Sequence, residues 1–142
     1  MSLPTATIEF AHRMFDAARS GDTDILVHAV KSGLPINMTN AQGNTLLMLA
    51  AYAGHTSLAQ ELISLGADVN RLNDRGQSII AGAVFKDYGE LVALLMNAGA
   101  DPRLGRPNAV ETAVMFGRND IIKVLGANES EVGDEVPRPL SS

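Results

Sequence analysis

The sequence predicts an all-α fold built from stacked helix pairs. Two observations carry this: a 33-residue self-similarity, and two short apolar stretches in each period with a glycine between them. Gly43, Thr45, Ala50, Leu62, Gly66, Ala67 and Asp68 return 33 positions later as Gly76, Ser78, Ala83, Leu95, Gly99, Ala100 and Asp101. The same offset run backwards sets Ala17, Ala18, Gly21, Ile25, Gly33 and Asn37 under Ala50, Ala51, Gly54, Leu58, Gly66 and Asn70. After Asp101 the offset falls to 30, because Ala113, Gly117 and Ile121 answer Ala83, Asp87 and Leu91. About four units result, near 5–39, 40–72, 73–105 and 106–126, within a domain of residues 1–126. One unit of this size cannot bury its own apolar face, so neighbours must stack.

Within residues 40–72, Leu46, Leu47, Leu49 and Ala50 share one helical face, and Leu58, Ala59, Leu62 and Ile63 share another. Gly54 interrupts the chain between them, which gives two short antiparallel helices. Ala50, Ala51, Ala83 and Ala113 are small enough to let helices approach closely, and Gly66 suits the left-handed residue that ends a second helix. After a first, neutral finger at Asn37 to Gln42, the polar runs Val69 to Arg75 and Asp101 to Pro107 project as the second and third finger-like loops. The first unit lacks the turn and opens directly on Ile8 to Phe15, and the fourth stops after Ile121 to Leu125, so both are expected to act as caps. From Ala127 a mobile acidic tail is expected (127–142), since the segment has little apolar content and carries Glu129, Glu131, Asp134 and Glu135.

The run Gly43 to Asn70 resembles an ankyrin repeat, whose pattern is Gly-x-Thr-Pro-Leu-His-x-Ala-Ala, then Gly-His, then Gly-Ala-Asp-Val-Asn. The resemblance covers roughly residues 8 to 126 and implies an ankyrin-repeat solenoid of helix-turn-helix repeats with projecting β-hairpin-like loops. It departs from the pattern at Pro-Leu-His, which reads Leu46-Leu47-Met48 and Ile79-Ile80-Ala81. These replacements fill the interior but remove a helix-starting Pro and a hydrogen-bonding His, so a less idealised stack is expected. The resemblance also implies a protein-binding module that works through a concave groove and the loop fingertips, as an inhibitor or a scaffold.

Composition narrows the alternatives. No apolar run reaches the roughly 20 residues that span a bilayer, and the N-terminus lacks the features of a signal peptide, so a cytoplasmic protein without membrane contact is expected. The absence of Cys excludes disulfides and thiolate chemistry. A net charge of −5 argues against nucleic acid as a partner. His12, His28 and His55 fall on different elements with no second His or nucleophile in register, so no catalytic residue, metal or cofactor is expected. The alternative is a small-molecule binder or enzyme with a pocket beneath the fingers, and a further one is a self-associating fragment of a larger chain. A monomer is expected, with a homodimer as the other possibility.

The candidate site residues come from aligning the repeats. The slot before the interhelical turn holds Arg19, Tyr52, Phe85 and Met115, and in the ankyrin family it faces the groove. An apolar column of Tyr52, Phe85 and Met115, flanked by Arg19 and Lys86, either anchors a partner or packs between neighbouring helices. Arg71 and Arg75 sit in one finger and Arg103 and Arg106 in the next, with Gln42, Asn44 and Gln77 as polar neighbours in the loops. The arginines either recognise acidic or phosphorylated groups on another protein or pair with nearby Asp68, Asp74 and Asp101. The sixteen residues after Gly126 reach about 50 Å when extended, so the acidic tail is long enough to cover the fingertips of its own chain. His55 is expected to cap a helix or bond between repeats, and Asn37 and Asn70 to brace loop backbone, although the equivalent Asn in some family members is hydroxylated.

Overall fold

Helix starts are written into the residues that precede them. Thr45, Ser78 and Asn108 have extended backbones, and their side-chain oxygens accept from the amides of Met48, Ala81 and Glu111. Each satisfies an amide that the first turn leaves without a partner, which contributes about 1 kcal/mol per helix. At Asn108 the bond is returned, because the Glu111 carboxylate accepts from the Asn108 amide at 2.9 Å. At Thr45 the return partner is the sulfur of Met48, 3.4 Å from the Thr45 nitrogen. Met48 therefore completes the capping pair at the start of its own helix.

The computed structural model describes residues 5–132. Among them are eight α-helices, α1 (Thr5–Ser20), α2 (Thr23–Lys31), α3 (Leu46–Tyr52), α4 (Thr56–Ser64), α5 (Ile79–Phe85), α6 (Gly89–Asn97), α7 (Ala109–Met115) and α8 (Asn119–Val124), followed by a 3-10 turn at Glu129–Glu131. The expected all-α helical-repeat class is the one observed. The chain divides into two units, Met1–Asp68 and Val69–Ser142.

In the first unit α1 packs on α3 and α2 on α4, each pair being a first helix on a first helix or a second on a second. Ala18, Ala50 and Ala59 have no exposed surface, so the backbones come close where a larger side chain would hold them apart. Leu26, Leu58 and Leu62 fill the space between, at about 2 kcal/mol of burial each. The first helix, at 16 residues, is the longest of the eight. Its outer face is exposed and includes Phe10, with the Arg13 guanidinium 5.9 Å from its ring centre.

The second unit repeats the scheme with α5 on α7 and α6 on α8. Ile79, Ala83, Leu91, Leu95, Ala109 and Ala113 are completely buried. Order continues past Gly126. Of the segment expected to be a mobile tail, residues 127–132 are described: a 3-10 turn forms at Glu129–Glu131, and Val132 is buried, with 6% of its surface exposed. Asp134, Glu135 and the rest of the acidic segment, 133–142, lie outside the described residues.

The loops are hairpin-like, with one isolated antiparallel bridge at Thr39 and Thr45 and another at Leu72 and Ser78. An asparagine organises each tip. The Asn40 side-chain oxygen accepts from the amides of Gln42 and Asn44, and that of Asn73 accepts from those of Arg75 and Gln77, all at 3.0 Å. These turns are closed by side chain to backbone bonds in place of a strand ladder.

Candidate functional site

Fingertips first. Asp101 carries the root of the third finger, and its amide donates to the Asn70 side-chain oxygen at 2.7 Å while the Asn70 amide group donates to the Gly99 carbonyl at 3.1 Å. Asn37 does the equivalent work in the first unit, accepting from the Asp68 amide at 2.9 Å. Both asparagines brace loop backbone, one of the two roles the sequence allowed.

The second and third fingers are joined directly. The Arg106 amide donates to the Gly76 carbonyl at 3.1 Å. Gly105 makes this approach possible: its φ is +84° and a Cβ there would lie 2.9 Å from the Gly76 oxygen. Arg75 and Arg106 therefore flank a single backbone contact, and Arg71 lies at the base of the same hairpin. All three are exposed. Among the described residues none of the three has a carboxylate within 4.0 Å, so pairing with Asp68, Asp74 or Asp101 does not occur there.

Arg103 differs from them. Its Nε and Nη2 donate to the two carboxylate oxygens of Glu131 at 3.1 and 2.9 Å, a parallel fork in which the arginine is half exposed. Hydrogen bonding to Glu131, reinforced by its charge, raises the guanidinium further above its already high value. The Arg103 backbone is fixed as well, since its amide donates to Asp101 at 2.9 Å.

Of the polar loop candidates, Gln42 is exposed at its tip, and Asn44 is half buried with its amide bound to Asn40. Gln77 is committed to the hairpin, accepting on its side-chain oxygen from Asn73 at 2.8 Å.

The groove candidates divide between the units. In the first, Arg19 is exposed at the end of α1 and pairs with Asp16 at 3.0 Å. Tyr52 is half buried at the end of α3, and burial pushes its phenol up to about 12. In the second unit Phe85 is 51% exposed, Lys86 is exposed beside it, and Met115 is half buried. The residue in direct contact with Phe85 is Phe116, 43% exposed, its ring edge-on with centroids 5.2 Å apart. Arg118 lies over the Phe116 ring at 5.9 Å, donates to the Phe85 carbonyl at 3.2 Å and reaches Asp87 at 3.7 Å. Phe116 and Arg118 were not among the sequence candidates. The signal was present: Arg118 occupies the repeat position of His55, and Phe116 follows Met115 where a small residue, Ala53, stands in the second repeat.

His55 bonds between repeats. Its Nε2 donates to the Arg19 carbonyl at 2.7 Å, and its ring rests on Gly21, where a Cβ would come within 2.7 Å of it.

Among the described residues no group of three or more His, Asp or Glu is arranged to hold a metal ion, and no helix is long and apolar enough to cross a membrane. The family model for ankyrin repeats, in three copies, matches residues 14–106. A Pseudomonas aeruginosa protein described as an ankyrin repeat protein is 46% identical over 50 residues, which is 35% of this chain and 29% of the relative. The chain thus spans less than a third of that relative's length.

Proposed function

The chain belongs to the ankyrin-repeat family, and from that premise we propose that it is a protein-binding module whose second unit carries the contact surface. Modules of this family are in general protein-protein interaction modules. One observation favours this surface over others: Arg71, Arg75 and Arg106 are exposed on two hydrogen-bonded fingers, without a carboxylate partner among the described residues, in a chain of net charge −5. An acidic protein that presents three exposed guanidinium forks on two adjoining fingers is suited to a partner bearing carboxylate or phosphoryl groups.

The exposed Phe85 and Phe116 pair supports a second contact on the same unit. Two rings held edge to face, with Arg118 beside them, present apolar area with little ordering cost, which suits an anchor for a partner side chain. Binding at these positions makes the protein an inhibitor or a scaffold, acting in the cytoplasm as a monomer; pairing of two copies through the exposed rings is the competing use of the same surface.

The test is capture from a lysate of the native source at two salt concentrations. Wild type, an Arg71→Gln/Arg75→Gln/Arg106→Gln variant and a Tyr52→Ala/Phe85→Ala variant are compared, each confirmed as folded by circular dichroism. A protein retained by wild type, weakened by salt and lost with the arginine variant fits the reading. Retention that neither variant alters would overturn it.

A further inference from the structure

Three of the four fingertip arginines point to an outside partner, whereas the fourth already holds a ligand of the expected chemistry. Arg103 grips the Glu131 carboxylate through two parallel hydrogen bonds across 28 residues of sequence. The next residue, Val132, is buried with 6% of its surface exposed. A turn built by Asn128 delivers the pair: its carbonyl accepts from the Glu131 amide at 3.2 Å, and its side-chain oxygen accepts from the Ser130 amide at 2.9 Å and from the Ser130 hydroxyl. Glu131 thus sits on the third finger through Arg103, and a small, buried apolar residue follows it in the sequence.

We propose that Arg103 and the ground beside it form a peptide subsite that reads a carboxylate followed by a small apolar side chain, and that Glu131 and Val132 fill it in cis as a competitor of the partner. This rests on the reading of the fingertips as a protein-binding surface and supplies the sequence pattern of the ligand. Charge and position agree with it. Arg103 belongs to the finger whose backbone is bonded to the finger of Arg75, so a peptide entering at Arg103 continues toward Arg106 and Arg75, which hold no cis carboxylate among the described residues. The fork is half exposed and therefore exchangeable, as a competitor must be. A partner that displaces Glu131 meets an arginine whose backbone is already held, by Asp101, with Asp101 held in turn by Asn70.

The test uses the full chain and a fluorescein-labelled synthetic peptide of residues 127–142 followed by anisotropy. Glu131→Gln is expected to bind the peptide roughly fivefold more tightly than wild type, the factor set by the fraction of chains in which an exposed ion pair keeps the subsite closed. The gain is expected to vanish in Glu131→Gln/Arg103→Gln, and with a peptide whose own Glu131 is replaced by Gln. Equal affinity of wild type and Glu131→Gln, with a lower melting temperature for the variant, would assign the fork to stability alone and overturn the inference. A gain that persists without Arg103, or no binding by either chain, overturns it as well. Those failures leave the protein-binding reading standing if lysate capture still depends on Arg71, Arg75 and Arg106. Loss of that dependence sinks the reading itself.

Discussion

His55 and Arg118 stand at the same position of the repeat, and each donates to a carbonyl in the last turn of the first helix of the repeat before it. His55 Nε2 reaches Arg19 at 2.7 Å and Arg118 Nη2 reaches Phe85 at 3.2 Å. Two unlike side chains therefore perform one task, satisfying a helix-terminal carbonyl that has no partner within its own helix. Replacing His55 with Ala is expected to cost about 1 kcal/mol in urea unfolding, and Gln at the same position, which keeps a donor, is expected to recover part of it. Equal losses for both variants would remove the hydrogen bond from the explanation.

Gly21 lies beneath the His55 ring, with φ of +78°. Gly21→Ala meets both a backbone conformation that L-residues avoid and a ring 2.7 Å away, so a loss of about 2 kcal/mol or more is expected. Gly33→Ala, at φ +116° with open space around it, meets only the first difficulty and serves as the control. If steric pressure is real, Gly21→Ala and His55→Ala are less than additive when combined.

Asp87 occupies the interhelical slot held by Gly21, Gly54 and Gly117, and it is the described non-glycine residue with positive φ, at 61°. Its contact with Arg118, long at 3.7 Å and with the carboxylate exposed, contributes little in return for that backbone. Asp87→Gly is expected to raise stability by about 0.5 to 1 kcal/mol, and Asp87→Val to lower it by more. Thermal melts of the two variants check the sign.

Burial raises the Tyr52 phenol from 10.0 to about 12. A raised acid keeps its proton longer in the folded state, so the stability it contributes is present below pH 10 and is lost as pH climbs from 10 to about 12. Titration of absorbance at 295 nm should contain a component near pH 12 that Tyr52→Phe removes. The same variant should flatten the alkaline decline in stability.

The repeat was legible because its signals are backbone demands. A glycine with positive φ or a capping side chain at a helix start recurs wherever the geometry recurs, and the offsets of these residues, 33 and then 30, point to paired helices of the kind seen among the described residues. Contacts between side chains of differing type were less legible. Phe116 escaped notice because alignment by column paired Phe85 with Met115, whereas the ring that meets Phe85 stands one residue further along. Arg118 shares a position with His55 but not a residue type, so its equivalence appears only in three dimensions. The Arg103 and Glu131 fork joins a loop to a segment with hardly any apolar content, and composition alone gave no reason for order there.

The asparagine-wrapped tips have a consequence for how such a protein changes. Asn40 and Asn73 hold their turns through their own side chains and their neighbours' backbone amides, so the side chains of Ala41, Gln42, Asp74 and Arg75 have no part in closing the turn. Substitution there leaves the fold's bonding untouched while altering what an approaching molecule meets. Scaffold and vocabulary are thereby written in separate letters, and a library randomised at these four positions can search for new specificities without risking the architecture that presents them.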